Sequence, residues 1–402
     1  MLTIEKKFEA LATENAPGQE VRQAAGNIDN LVRGKPLTGT PVDFSHGDVD
    51  AFTPTPGSFE AFSDAVDTGG RQAYTEYRGA ADIRADLAQK LAGFTGAPVA
   101  GDGMILTAGT QGALFLSVAA TVTTGDRVAI VQPDYFANRK LVQFFGGEVV
   151  PVQIDYMKSE DNAGLNLDQL RDAFASGVKV FLFSNPNNPT GAVYSAAEIA
   201  AIAKLAAEFD VMVIADQLYS RLRYSGVTYT HIRAAGLPDN RVITIMGPSK
   251  TESLSGYRLG VAFGASSAID RMEKLQAIVT LRAAGYNQAV FKTWFSEPVG
   301  WMDHRIQQHQ DIRDDLIKVF RGAGLRVRTP QAGSYLFPEL RPLDVSLNDF
   351  VRLLRLQAGV TVTPGSEFGP HWSSLRLNFS QDHAAAVAAS KRIVEMAGRY
   401  QR

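Results

Sequence analysis

Val242-Ile243-Thr244-Ile245-Met246-Gly247-Pro248-Ser249-Lys250 is the stretch that decides how this chain folds and where its chemistry sits. The apolar and β-branched run Val242–Met246 predicts a buried strand. Gly247-Pro248-Ser249 turns the chain out of it, and Lys250 arrives on the loop just past the strand. In open α/β sheets ligands bind at that edge, and a lysine there can form an imine with a carbonyl group. Arg258 follows eight residues later, in Gly256-Tyr257-Arg258-Leu259-Gly260. The glycines permit close backbone approach, and the guanidinium suits a phosphate dianion. Taken alone, a surface lysine and a structural arginine account for the same residues equally well.

Working outward, short apolar runs at Met104–Thr107, Val128–Val131, Val180–Ser184 and Val211–Ala215 alternate with helical stretches. Ala196–Phe209 is one such helix, with Ser195 at its N-cap and Glu198 at the capping-box spacing. Buried strands separated by helices predict a largely parallel α/β sheet. After about Gly300 a long polar helix is expected over His304–Arg321, followed by shorter strands and helices. The expected fold is α/β: a large domain with a mostly parallel sheet flanked by helices, plus a smaller α+β domain. Residues 1–45 are read as an N-terminal arm and part of the small domain, 46–295 as the large domain, and 296–402 as the small C-terminal domain.

Three more clusters stand directly at the ends of predicted strands. Asp216, with Tyr219 three residues on, follows Val211–Ala215; such an acid could pair with a protonated ring nitrogen, or simply cap a helix. Asn185-Pro186-Asn187-Asn188-Pro189-Thr190-Gly191 follows Val180–Ser184. It reads as a turn, although the Asn188 amide could also donate to an anionic oxygen. Ala108-Gly109-Thr110-Gln111-Gly112 joins the Met104 strand to an apolar helix over Ala113–Val122. A Gly-Thr at a helix start offers free N–H groups and a hydroxyl to a phosphate.

Composition narrows the class. The 402 residues suit two packed domains. Lys plus Arg number 40 against 42 Asp plus Glu, a net charge of −2, which gives no reason to expect nucleic acid or anionic membrane as a partner. The chain has no cysteine, which excludes disulfides, thiolate nucleophiles and cysteine-ligated metals. The polar N-terminus carries no signal-peptide core and no stretch approaches a membrane span, so a cytoplasmic location is expected.

Taken together, these clusters resemble the fold type I, class I/II pyridoxal-phosphate aminotransferases, over roughly residues 40 to 395. The family pattern runs in order through Gly109-Thr110-Gln111, Tyr135 in Pro133-Asp134-Tyr135, Asn188, Asp216 with Tyr219, Lys250 with Arg258, and Arg376 in Leu375-Arg376-Leu377-Asn378-Phe379. The resemblance implies pyridoxal 5'-phosphate as cofactor, linked to Lys250. Gly109, Thr110, Gln111, Ser249 and Arg258 would hold the phosphate end, and Tyr135 would stack on the ring. Asp216 would face the ring nitrogen, Tyr219 and Asn188 the phenolic oxygen, and Arg376 the substrate α-carboxylate. It also implies a homodimer with shared sites, in which Tyr74 reaches the phosphate of the partner subunit. Ser45 and His46, in Asp43-Phe44-Ser45-His46-Gly47, would lie near substrate, His46 in a structural role.

The implied activity is ping-pong transfer of an amino group between an L-α-amino acid and a 2-oxo acid. A lyase or decarboxylase on the same scaffold is the alternative, and a cofactor-binding regulator a remoter one. Arg282 falls near the position where dicarboxylate-specific relatives carry a second arginine, but a solvated helix arginine explains it as well. The chain departs from the pattern at Gly247, where many relatives have a hydroxyl residue, and at Gln217, where glutamate is common.

Overall fold

The computed structural model describes residues 3–9, 11–12, 28–47, 51–69 and 74–402, so much of the expected arm over residues 1–45 lies outside the described residues. In chain order the strands are β1 (Val42–Asp43), β2 (Met104–Ala108), β3 (Arg127–Gln132), β4 (Glu148–Gln153), β5 (Val180–Ser184) and β6 (Met212–Asp216), then β7 (Val242–Met246), β8 (Leu259–Gly264), β9 (Tyr335–Leu336), β10 (Val360–Thr361), β11 (Thr363–Pro364) and β12 (Leu375–Asn378). The central sheet has the order β2-β8-β7-β6-β5-β3-β4. Strands β4, β3, β5, β6 and β7 are joined by parallel ladders. β8 runs antiparallel to both of its neighbours, β7 and β2. Only β8 is therefore reversed, and the sheet is mostly parallel, as expected.

Burial on both faces explains the unbroken apolar runs. Along β5, Phe181 and Phe183 enter one apolar cluster while Val180 and Leu182 enter the other. Strands β3 and β6 divide in the same way: Ala129, Val131, Val213 and Ala215 against Val128, Ile130 and Ile214. The first face is covered by helix Ala196–Glu208 through Ile199 and Ile202. The second is covered by helices Gly109–Thr121 and Ser266–Val279 through Leu114, Val118, Ile269 and Met272. Helix Ala196–Glu208 opens with the expected capping box. Glu198 N–H donates to Ser195 Oγ at 3.2 Å, and Ser195 N–H donates to Glu198 Oε2 at 2.7 Å, an arrangement worth about 1 kcal/mol.

The C-terminal part has its own apolar cluster. Ile312, Leu316 and Phe320 of the long helix Trp301–Gly322 pack with Phe350 and Leu354 of Leu347–Ala358 and with Ile393 of His383–Arg399. Two small sheets complete it, ordered β11-β12-β9 and β1-β10. Through β1, residues 42–43 pair with Val360 and Thr361 rather than with the central sheet.

Candidate active site

Because β2, β3, β5, β6 and β7 run in one direction, their carboxyl ends deliver residues 109–111, 133–135, 185–188, 216–219 and 247–250 to a single edge. The reversed β8 starts at the same edge and brings Arg258. A cavity of ≈ 230 Å³ opens there, lined by Ser45, His46, Thr110, Gln111, Tyr135, Asn188, Asp216, Tyr219, Ser249, Lys250, Arg258 and Arg376, together with Tyr335, Ser184 and several apolar side chains.

At one end, helix Gly109–Thr121 begins at Gly109 with φ +76° and no side-chain cap, four residues sooner than the expected Ala113–Val122. A Cβ on Gly109 would fall 2.4 Å from Arg258 Nη2, so the missing side chain lets the guanidinium lie over the helix start. Arg258 itself sits at φ +52°, a left-handed conformation that non-glycine residues seldom adopt, and its Nη1 donates to Ser255 O at 3.0 Å. Free first-turn N–H groups beneath a guanidinium, with the Thr110 and Ser249 hydroxyls on the wall, form an anion cradle.

Gly247, the departure from the pattern, has a steric cause. A Cβ there would lie 2.9 Å from Leu259 O and 2.9 Å from Thr110 Cγ2. The β8 backbone cannot yield cheaply, and overpacking of this kind typically costs about 1–3 kcal/mol. Gly247→Ser is therefore expected to lower the melting temperature and to weaken cofactor affinity about tenfold, read by a thermal melt and by titration of the visible band. Unchanged affinity would show that the crowding is not felt at the cradle.

Asp216 ends β6, opposite Ser184 in the parallel register. Its Oδ1 accepts the Leu218 N–H at 3.1 Å, and burial pushes its carboxyl up to about 6. A half-buried carboxylate on the cavity wall with so few donors calls for a cationic N–H. Tyr219 is buried, its hydroxyl 2.6 Å from that of Tyr335. The Tyr135 hydroxyl donates to Gln111 Oε1 at 3.0 Å, which fixes the ring on the cavity wall.

Arg376 on β12 is buried across the cavity. Its Nη1 donates to Asn188 Oδ1 at 3.2 Å and its Nη2 to Ser45 O at 2.6 Å. The guanidinium is stacked on Tyr335 and Phe368, with centroid distances of 4.6 and 4.8 Å. Its orientation is set before any ligand arrives, which suits bidentate recognition of a carboxylate. Ser45 Oγ lies 3.0 Å from His46 Nδ1, and both residues are on the cavity wall.

Tyr74 and Arg282 stand apart. Tyr74 is 71% exposed, and the Arg282 guanidinium lies 4.3 Å from its ring centroid; neither side chain lines the cavity of its own chain. Nor is Arg282 a helix residue: helix Ser266–Val279 has ended, and Leu281 turns the chain at φ +66°.

Groups that sequence reasoning passed over lie in the cavity wall and behind it. Tyr335 lies 116 positions from its partner Tyr219, and nothing local marks it. Asp134 and Ser184 form a buried pair behind the wall. Arg305, buried on the long helix, donates to Thr251 O at 3.2 Å and Ser253 Oγ at 2.6 Å, and so holds the turn that presents Lys250.

The residues fit pyridoxal phosphate: an anion cradle at one end, an underpartnered half-buried acid and an aromatic on the wall, and an amine between them. The family model for aminotransferase class I and II matches residues 40–393. The crystal structure of an aspartate aminotransferase from Rhodobacter sphaeroides is 63% identical, covers 100% of both chains and superposes with a TM-score of 0.95. The aspartate/prephenate aminotransferase of Thermus thermophilus is 27% identical over 98% of this chain and 97% of its own. The structure of the Thermus thermophilus aspartate aminotransferase with maleate is 25% identical, with a TM-score of 0.82 over 98% of this chain and 100% of that one.

Proposed function

Because the chain belongs to the class I and II aminotransferase family, we propose that it is an aspartate aminotransferase that works as a cytoplasmic homodimer. It is a pyridoxal-phosphate-dependent transaminase, passing an amino group between an L-α-amino acid and a 2-oxo acid; lyase chemistry is not favoured. Aspartate as donor rests on the 63% identity to the Rhodobacter sphaeroides enzyme. A buried, pre-oriented Arg376 in the same cavity as Lys250 is the observation that carries amino-acid chemistry in this cavity.

When bound, pyridoxal phosphate supplies a carbonyl that takes up the amino group and a ring that accepts electrons. Lys250 Nζ would hold it covalently, and the free amine of Lys250 would move the proton at the substrate Cα. Asp216 would accept the N–H of the ring nitrogen, and Tyr219 and Asn188 would donate to the phenolic oxygen. Arg258, Thr110, Ser249 and the Gly109 helix start hold the phosphate against rotation. Gln111, through its hydrogen bond to the Tyr135 hydroxyl, would hold that aromatic in place for the ring. Arg376 would fork the α-carboxylate and so orient the substrate Cα.

Exposed Ile278, Val279 and Leu281 adjoin Tyr74 and Arg282, an apolar surface that supports an interface between copies. Across it Tyr74 reaches the phosphate of the partner's site, and Arg282 reads the distal carboxylate of aspartate. A division into residues 46–295 and 296–402, with 1–45 joined to the latter, is supported by the β1–β10 pairing and the separate C-terminal apolar cluster. The test is an absorbance scan of the loaded enzyme with single amino acids, with and without 2-oxoglutarate. Aspartate is expected to convert the visible band near-stoichiometrically, and the oxo acid to restore it. Arg282→Ala should raise the aspartate KM at least about tenfold relative to that of a monocarboxylic donor. Preference for a monocarboxylic donor in the parent enzyme would overturn the substrate, and release of ammonia the reaction.

A further inference from the structure

Asp134 is 3% exposed and has no cation beside it among the described residues. Its Oδ1 accepts the Tyr135 N–H at 2.6 Å and the Ser184 hydroxyl, and its Oδ2 accepts the Ser184 N–H at 2.9 Å. Ser184 Oγ in turn accepts the Asn188 N–H at 3.2 Å, and Asn188 Oδ1 accepts from Arg376. Asn187 Nδ2 donates to Pro133 O at 3.0 Å, a second strap between the same two loops. Burial pushes the Asp134 carboxyl up to about 7, with Asp216 adding repulsion. An acid in this position is costly, and a neutral side chain could fill the space. What the acid provides is three acceptor contacts: two to Ser184 that tie the end of β3 to the end of β5, and one that fixes the Tyr135 backbone.

We propose that Asp134 is a positioning residue that fixes the ring-stacking Tyr135 and the Asn188–Arg376 fork relative to one another. Three hydrogen-bonded links connect its carboxylate to the guanidinium. In Asp134→Asn an amide N–H faces a Ser184 donor, so the loop carrying Asn188 loses its register and the fork its orientation. This rests on the reading of Arg376 as the carboxylate fork.

The experiment uses the loaded enzyme with maleate as the carboxylate probe, its binding read from the visible band and by calorimetry. Asp134→Asn and Ser184→Ala are each expected to weaken maleate at least about tenfold, and the double variant no more than either alone. The loss for aspartate should fall in KM, with kcat within about threefold. Arg376→Ala separates the two ideas. If it abolishes maleate binding while Asp134→Asn and Ser184→Ala bind normally, or lower only the melting temperature, the role of Asp134 is overturned and the fork stands. If Arg376→Ala binds maleate as the parent does, the fork reading fails as well. Should Asp134→Asn not fold, Ser184→Ala alone decides.

Discussion

Replacing Lys250 with alanine is expected to lower transamination by more than about 10⁴-fold, because one side chain both anchors the cofactor and moves the Cα proton. The variant should still fold. The turn that presents Lys250 is held without its side chain: Leu254 N–H donates to Pro248 O and Ser253 N–H to Lys250 O, both at 3.2 Å, and Arg305 grips Thr251 and Ser253 from the long helix. Asp216, Arg258 and Arg376 remain, so substrate and cofactor still have carboxylate and phosphate partners. The loss should thus appear in the chemical step rather than in the melting temperature. Borohydride reduction followed by peptide mass mapping should label Lys250 in the parent and nothing at that position in the variant. Rates from single-turnover absorbance traces decide the matter. A variant within tenfold of the parent would mean that another amine does the work, and the placing of the site would be wrong.

The sequence was legible where one local rule decided the outcome. Val180–Ser184 and Val242–Met246 are buried on both faces, so their apolar runs are unbroken and their bounds match β5 and β7. The loops that leave them carry polar residues at the ligand edge, which is why Lys250 and Asn188 stood out, as did Asp216 at the end of β6. β8 was not read as a strand because its glycines, Gly260 and Gly264, resemble turn signals. β4 was missed because it is half exposed, polar at both ends and interrupted by Pro151. Asp134 reads as a turn residue between Pro133 and Tyr135, and only its pairing with Ser184, 50 positions away, reveals it. Tyr335 and Arg305 act through equally distant contacts. Arg282 was weighed as a helix residue because nothing local shows that Leu281 adopts a positive φ.

Asp216→Asn should trade activity for stability, and the sign follows from the burial of the acid. Its carboxyl is raised from 3.8 to about 6 in the folded chain, so the folded state holds this proton more tightly than the unfolded one. Folding then takes up protons between about pH 4 and 6, and stability falls as pH rises through that window. Above it the cofactor-free protein bears the full cost, roughly 3 kcal/mol for a shift of about two units. The amide pays none of this and can still accept the Leu218 N–H through its oxygen. Cofactor-free Asp216→Asn is expected to melt several degrees above the parent at pH 7.5, with the two curves converging near pH 4. Asp134 and Glu252, both raised to about 7, titrate in both proteins and largely cancel in the difference. Loading should narrow the gap, because the cofactor's ring N–H gives the parent carboxylate the partner it lacks, and binding to the folded state adds stability. Activity should move the other way, with kcat lower by about 10²–10³-fold once the ring nitrogen loses its anion. A gap that is absent at pH 7.5, or that widens on loading, would mean that Asp216 is partnered by other groups and does not serve the ring. Stability given up at one half-buried acid and recovered on cofactor binding is what ties this carboxylate to the site rather than to the sheet.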